Sequence, residues 1–149
     1  MEDKNWHKAA RIVRDAGGRI VGRTRLQKTA YFLQLAGFDE GFTFEYHHYG
    51  PYSEDLADAI RVADAFGLVS EEKKTADWGG VYSIFTSTAD AGQRAEGNRA
   101  DFANRVAAIN AIELELAATA AYLSVAEKCN DPWGETARLK PEKSRYIDQ

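Results

Sequence analysis

Apolar residues recur at helical spacing from the start of the chain. Trp6, Ala9, Ala10, Val13 and Ala16 fall on one face of a helix over 4–16, and Gly17-Gly18 end it. The next residues, "RIVG", can run as a short extended piece. A second helix is expected to start at Thr24, because Thr24-x-x-Gln27 has the form of a capping box: the threonine oxygen accepts from the Gln27 amide and the glutamine reaches back. Leu26, Ala30, Leu33 and Gly37 mark one face of that helix, and Tyr31 and Leu35 widen it.

The period then changes from helical to alternating. In "FTFEYHHYG", Phe42, Phe44 and Tyr46 alternate with Thr43, Glu45 and His47, the pattern of a half-buried strand, and Gly50-Pro51 is expected to break it. Ser53 caps a third helix whose first turn holds Glu54 and Asp55, where the dipole favours anions. Its core stripe is Leu56, Ala59, Ile60, Ala63 and Phe66, and Gly67 closes it. "LVSEEKK" and "VYSIFTS" read as two strands of a hairpin around the glycine-bearing "TADWGG". Thr88 is placed to cap a short helix running to about Gly97. From Asn98 to about Lys128, Phe102, Val106, Ile109, Leu116, Ala120 and Leu123 predict one alanine-rich helix, far longer than the mean of about 11–12 residues. "NDPWGETARLKPEKS" reads as a loop or broken helix, and the last residues as one more turn.

The resulting class is α+β and mostly helical. Three helices and a β-hairpin wing suggest a winged-helix-like core over 1–87. A C-terminal helical extension over 88–149 completes a single domain. The long helix offers an alanine-rich stripe either to this core or to a second copy in a homodimer.

Composition changes this picture little. Hydrophobic residues make up 44% of the chain and charged residues 28%, the balance of a globular protein. No apolar run approaches the roughly 18 residues a membrane helix needs, and "MEDKNWHKAARIV" lacks an apolar leader core, so a cytoplasmic location without membrane contact is expected. The single cysteine, Cys129, excludes an internal disulfide and a cysteine-based zinc framework, and without an evident base it reads as a packed thiol.

Charge changes it more. The net charge is −4, but residues 1–37 carry eight Lys/Arg against three Asp/Glu, while residues 38–72 carry one Arg against nine Asp/Glu. Arg11, Arg14, Arg19, Arg23, Arg25 and Lys28 form a basic segment that could face phosphates. The third helix, the one that enters the major groove in a winged-helix reader, sets Glu54, Asp55, Asp58 and Asp64 against Arg61 alone. That sign is wrong for a phosphate-lined groove.

"EYHHYGPY" looks like a site for chemistry. Zinc needs about three converging ligands, yet His47 and His48 would point to opposite faces of a strand, and His7 is the other histidine of the chain. A general-base histidine would need a nucleophile and an orienting group, and neither is evident. The residues fit a structural turn better: Gly50-Pro51 redirects the chain, Tyr49 and Tyr52 pack their rings, and Lys28 reaches across to a hydroxyl or to Glu45. Gly17-Gly18 and Gly79-Gly80 lack the strand–loop–helix setting of a phosphate cradle. Trp78, beside Gly79-Gly80, is either an exposed anchor for a partner or folded back on Tyr82 and Phe85.

Gly22-Arg23-Thr24-x-Leu26-Gln27-Lys28, followed by an aromatic strand, Tyr49-Gly50-Pro51-Tyr52-Ser53 and a glycine-ended acidic helix, resembles the YwgA-like proteins of bacteria and archaea, relatives of the Panacea (SocA-like) antitoxin domain. The resemblance implies a small non-enzymatic partner that neutralises another protein, such as a toxin, with no cofactor or metal. Arg23, Arg25, Lys28, Tyr49, Tyr52 and Trp78 are the expected partner-binding residues. The alternative is a winged-helix transcriptional regulator that binds DNA through the basic N-terminal face, and a histidine-based enzyme stands third.

Overall fold

The computed structural model describes residues 4–38, 41–47, 50–92 and 97–147. In chain order the elements are α1 (Asn5–Asp15), β1 (Arg19–Val21), α2 (Arg23–Leu35), β2 (Glu45–His47), β3 (Gly50–Tyr52), α3 (Glu54–Ala65), β4 (Val69–Thr75), β5 (Val81–Ser87), α4 (Asn98–Ala107), α5 (Ala111–Val125) and α6 (Pro132–Leu139), with 3-10 turns at Ala89–Ala91 and Pro141–Tyr146. The chain is α+β and mostly helical. β1, β5 and β4 form an antiparallel sheet in that order, and β2 pairs with β3 in a separate ribbon.

The stripe of α1 is buried as expected at Ala9, Ala10, Val13 and Ala16, with Trp6 packed at its edge. It meets Leu56, Ala59, Ile60 and Ala63 of α3, Leu26, Ala30 and Leu33 of α2, and Ile20 and Phe85 of the sheet. α2 is central. It is buried from Leu26 through Tyr31, so polar Gln27, Lys28 and Thr29 lie inside as well. Leu35 and Phe66 depart from the expected stripes. Leu35 ends α2 and Phe66 follows the last residue of α3, and the 62% exposed Phe66 ring lies 5.5 Å from the Trp6 ring between centroids.

Four local expectations are corrected. α2 begins at Arg23, not Thr24. Gly22, at φ +97°, turns the chain out of β1 into the helix while donating its N–H to the Ser83 carbonyl, and Gln27 is used elsewhere. Among the described residues before Gly50, the alternating segment is a strand over Glu45–His47, with Phe42 and Phe44 packing as loop residues. Gly50-Pro51 does not end the extended structure but starts β3, with Tyr46 opposite Pro51 and Glu45 opposite Tyr52. Thr88 makes no capping bond. Its hydroxyl donates to the carbonyls of Gly67 and Leu68, and the turn after it is a short 3-10 piece; residues 93–96 of the predicted helix lie outside the described residues.

The long C-terminal helix is two helices, bent by 118°. Asn110 starts α5 afresh: its Oδ1 accepts from the N–H groups of Ile112 (2.9 Å) and Glu113 (3.4 Å). Arg25 holds the corner from α2, donating to the carbonyls of Ala107 (2.7 Å) and Ile109, which would otherwise be orphaned. Leu116, Ala120 and Leu123 are buried within the chain, so the α5 part of the stripe is used internally. "PWGETARL" is an ordered helix, α6, capped by Asp131 on the Gly134 N–H. Among the described residues no single helix is long and apolar enough to cross a membrane.

Candidate functional site

The two stretches that carry the resemblance meet in space. Gln27 spans the backbone of Ser53: its Oε1 accepts from the Ser53 N–H (2.8 Å) and its Nε2 donates to the Ser53 carbonyl (2.9 Å). Lys28, next on α2, donates its Nζ to the Pro51 carbonyl (2.9 Å). Ser53 then caps α3, its Oγ accepting from the Leu56 N–H. Two adjacent side chains of a buried helix thus fix the turn that launches α3. Gly50 lies at φ +95°, and a Cβ there would sit 2.7 Å from Thr119 Oγ1 and 3.6 Å from Lys28 Cε. Glycine is required because α2 and α5 both close on this point.

Lys28 is 2% exposed, and burial pulls its pKa down to about 8, with nearby Lys140 adding to the effect and Glu115 opposing it. Glu115, also buried, is shared by Lys140 (3.2 Å) and Lys143 (2.9 Å), which ties the C-terminal turns to α5. This is a structural clamp, and the expected link from Lys28 to the turn is made through a backbone carbonyl.

Outside the clamp the surface is open. A pocket of about 210 Å3 lies between the start of α2 and the β2–β3 ribbon, against Arg23, Thr24, His47 and Tyr52. The His47 and Tyr52 rings pack with centroids 4.7 Å apart. A second cleft of about 440 Å3 runs from Gly22, Arg23 and Thr24 to the β4–β5 hairpin, where Lys73, Trp78 and Val81 border it. Arg23 divides the two. Its guanidinium donates to Glu71 Oε2 (2.8 and 3.2 Å), which Ser83 Oγ also reaches at 2.5 Å. Burial acts to raise the Glu71 pKa, but the hydrogen bonds from Ser83 and Arg23 outweigh it and hold the carboxyl below its usual range.

Trp78 is 78% exposed. It does not fold onto Tyr82 or Phe85. Its ring lies across Gly80, where an added Cβ would collide with it at 1.5 Å. Val81 beside it is 64% exposed.

The basic segment is dispersed. Arg14 and Arg99 converge on the fully buried Asp15, at 3.0 and 2.9 Å, and join α1 to α4. Arg25 is committed to the α4–α5 corner, Lys28 to the Pro51 carbonyl and Arg23 to Glu71. Of the expected partner-binding residues, Arg23, Tyr52 and Trp78 border the open surface, Lys28 lines the floor of the smaller pocket while holding the turn, Arg25 holds the fold, and Tyr49, like His48, lies outside the described residues. Sequence reasoning missed Lys73 and Val81. The period of β5 put Val81 and Ser83 on one face, but only the β4–β5 register, with Lys73 opposite Ser83, brings Lys73 to the same cleft. Among the described residues no group of three or more His, Cys, Asp or Glu is placed to hold a metal ion.

No family model matches the chain. The chain is similar to "Uncharacterized protein YwgA" of Bacillus subtilis (strain 168), at 34% identity over 71 residues. The match takes in 48% of this chain and 42% of that protein, so the chain spans less than half the length of the curated relative it matches, and it supports a relationship to YwgA-like proteins.

Proposed function

We propose that this chain is a non-enzymatic protein-binding module, an antitoxin or adaptor of the Panacea-related kind, that covers a partner protein with the surface around the β4–β5 hairpin. The observation that carries the reading is Trp78. A large aromatic ring, 78% exposed and flanked by exposed Val81 and by the cation-bordered cleft, has the make-up of an interface anchor. A winged-helix arrangement is part of the proposal. The β4–β5 hairpin that follows α3 and is joined by β1 in the sheet β1-β5-β4 supports it, with the hairpin as the wing.

Charge favours a polypeptide partner over DNA. α3 presents Glu54, Asp55 and Asp58 to solvent, and its one arginine, Arg61, pairs with Asp58. The basic N-terminal segment is largely spent on internal acceptors, which leaves few cations to neutralise phosphates.

The test is co-expression with the protein encoded beside this chain. Rescue of growth from that protein's toxicity, lost on Trp78→Ala in a chain that still folds, is the expected result. Salt-sensitive capture of a defined operator, unaffected by Trp78→Ala, would replace this reading with the regulator.

A further inference from the structure

β1 and β4 are the outer strands of the sheet, and β5 between them also leaves a short stretch of backbone open, beside Trp78. β4 pairs with β5 along its whole length, from Val81 to Ser87. β1 is only three residues long and covers Ile84 to Thr86 on the other side. Along an antiparallel strand successive residues turn their N–H and C=O to alternate sides. Gly22 donates to the Ser83 carbonyl and the Ser87 N–H donates to the Gly18 carbonyl, both at 2.7 Å. The odd-numbered residues of β5 therefore face β1. Val81 is the next of them, but the chain has left the sheet at Gly22, and among the described residues no backbone or side-chain group bonds the Val81 N–H or C=O.

The 440 Å3 cleft lies at this place, with Val81 to Ser83 on one side and Gly22 to Thr24 on the other. Arg23 and Lys73 border it and no carboxylate does; Arg23 is paired with nearby Glu71, so Lys73 carries the positive charge left for a ligand. The first turn of α2 holds no acidic residue, so the positive end of that helix adds to the field. Trp78 and Val81 supply apolar surface. A duplex could use the Lys73 charge, but it offers nothing to a strand edge that presents one donor and one acceptor.

We propose that the edge of β5 at Val81 is a strand-addition site for an extended acidic segment of a partner protein. The segment takes the line that β1 vacates, exchanges backbone hydrogen bonds with Val81, and places alternate apolar and acidic side chains against Trp78 and Lys73. This rests on the protein-binding reading and specifies its mode.

The probe is a fluorescein-labelled peptide of roughly nine alternating Glu and Val residues, followed by fluorescence polarisation and by amide exchange at Val81. The peptide binds, the Val81 amide gains protection only when it is present, and Lys73→Glu weakens binding by about tenfold or more. N-methylation of alternate peptide amides, which removes donors and leaves charge intact, abolishes binding in one of its two registers. Failure of the peptide to bind, equal binding in both N-methylated registers, a Val81 amide protected in the free protein, or stronger binding of a duplex oligonucleotide overturns the proposal. If growth rescue still depends on Trp78 while either N-methylated peptide binds equally well, strand addition is wrong and the protein-binding reading stands.

Discussion

The turn clamp and the hairpin cleft lie about one turn apart in the first half of α2, and they treat polar groups in opposite ways. At the clamp, Gln27 and Lys28 are buried and their polar atoms are spent on the backbone of Pro51 and Ser53. At the cleft, Lys73, Trp78 and Val81 are exposed, and the Val81 edge lacks a neighbouring strand. The residues that make the sequence look familiar are those that build it, and they have little left to offer a partner. The exposed residues of the hairpin, Lys73, Trp78 and Val81, stand outside that motif. Arg23 belongs to both regions: it sits within the motif, yet it borders the cleft and holds Glu71.

The largest effect that would break this contrast is at Gly50. Gly50→Ala forces a left-handed φ on a residue with a Cβ and drives that Cβ to 2.7 Å from Thr119 Oγ1 and 3.7 Å from the Thr119 Cα. Backbone strain and overpacking together predict a loss of about 3 kcal/mol or more in urea unfolding. Gly79→Ala, at a similar φ of +91° but with nothing within 4 Å, should cost about 1 kcal/mol. Equal costs at the two positions would mean that the Gly50 turn is not closed on by α5.

Gln27→Ala comes next. It strips a partner from the buried Ser53 N–H, whereas the Ser53 carbonyl still accepts from Ala57. One orphaned buried donor predicts a loss of about 2 kcal/mol. A change under about 0.5 kcal/mol would show that water replaces the glutamine and that the motif does not clamp the turn.

How much of this was legible depends on the range of the interactions involved. The α1 stripe, the Ser53 cap and the β4–β5 hairpin follow from neighbours in sequence, and each formed where the pattern put it. The α4–α5 corner did not, because the apolar period of Phe102, Val106 and Ile109 runs into the break and masks the one local signal, the Asn110 cap. The break is also held by Arg25, 82 residues away, and no periodicity encodes that. The same holds for β3. Gly50-Pro51 signals a chain break, yet pairing with Glu45–His47 and the grip of α2 make it a strand. At the candidate site, Trp78 was visible as an exposed anchor in a glycine-bearing loop, but the open edge beside it arises from the mismatch in length between β1 and β5, which appears only once the two are paired.

Lys28 sharpens the contrast through pH. Its pKa is about 8 in the folded chain, against a usual value of 10.5, so between these values the unfolded chain binds more protons. Stability should therefore rise with pH in this window, by about 1–2 kcal/mol from pH 8 to about 9.5. Tyr31, raised to about 12 first by burial and then by Tyr122, works in the opposite direction, but only above its ordinary value of 10. Lys28→Met removes the ionisable group and should flatten the rise, with little net change at neutral pH, because relief of the buried charge offsets the lost bond to Pro51. Parallel slopes in the two proteins would place Lys28 in a wetter setting than the clamp describes.

The smallest expected effect on stability belongs to Trp78. Its ring touches Gly80 and otherwise faces solvent, so Trp78→Ala should move the unfolding free energy by no more than about 0.5 kcal/mol. Truncating a buried aromatic ring would cost about 3–5 kcal/mol. The same substitution should abolish partner binding, which separates the two regions by experiment: a clamp variant loses binding only as far as it loses the fold, whereas Trp78→Ala loses binding with the fold intact. A Trp78→Ala chain that unfolds several kcal/mol more easily would make the ring part of the core, and the cleft would then belong to the architecture in the way the clamp does.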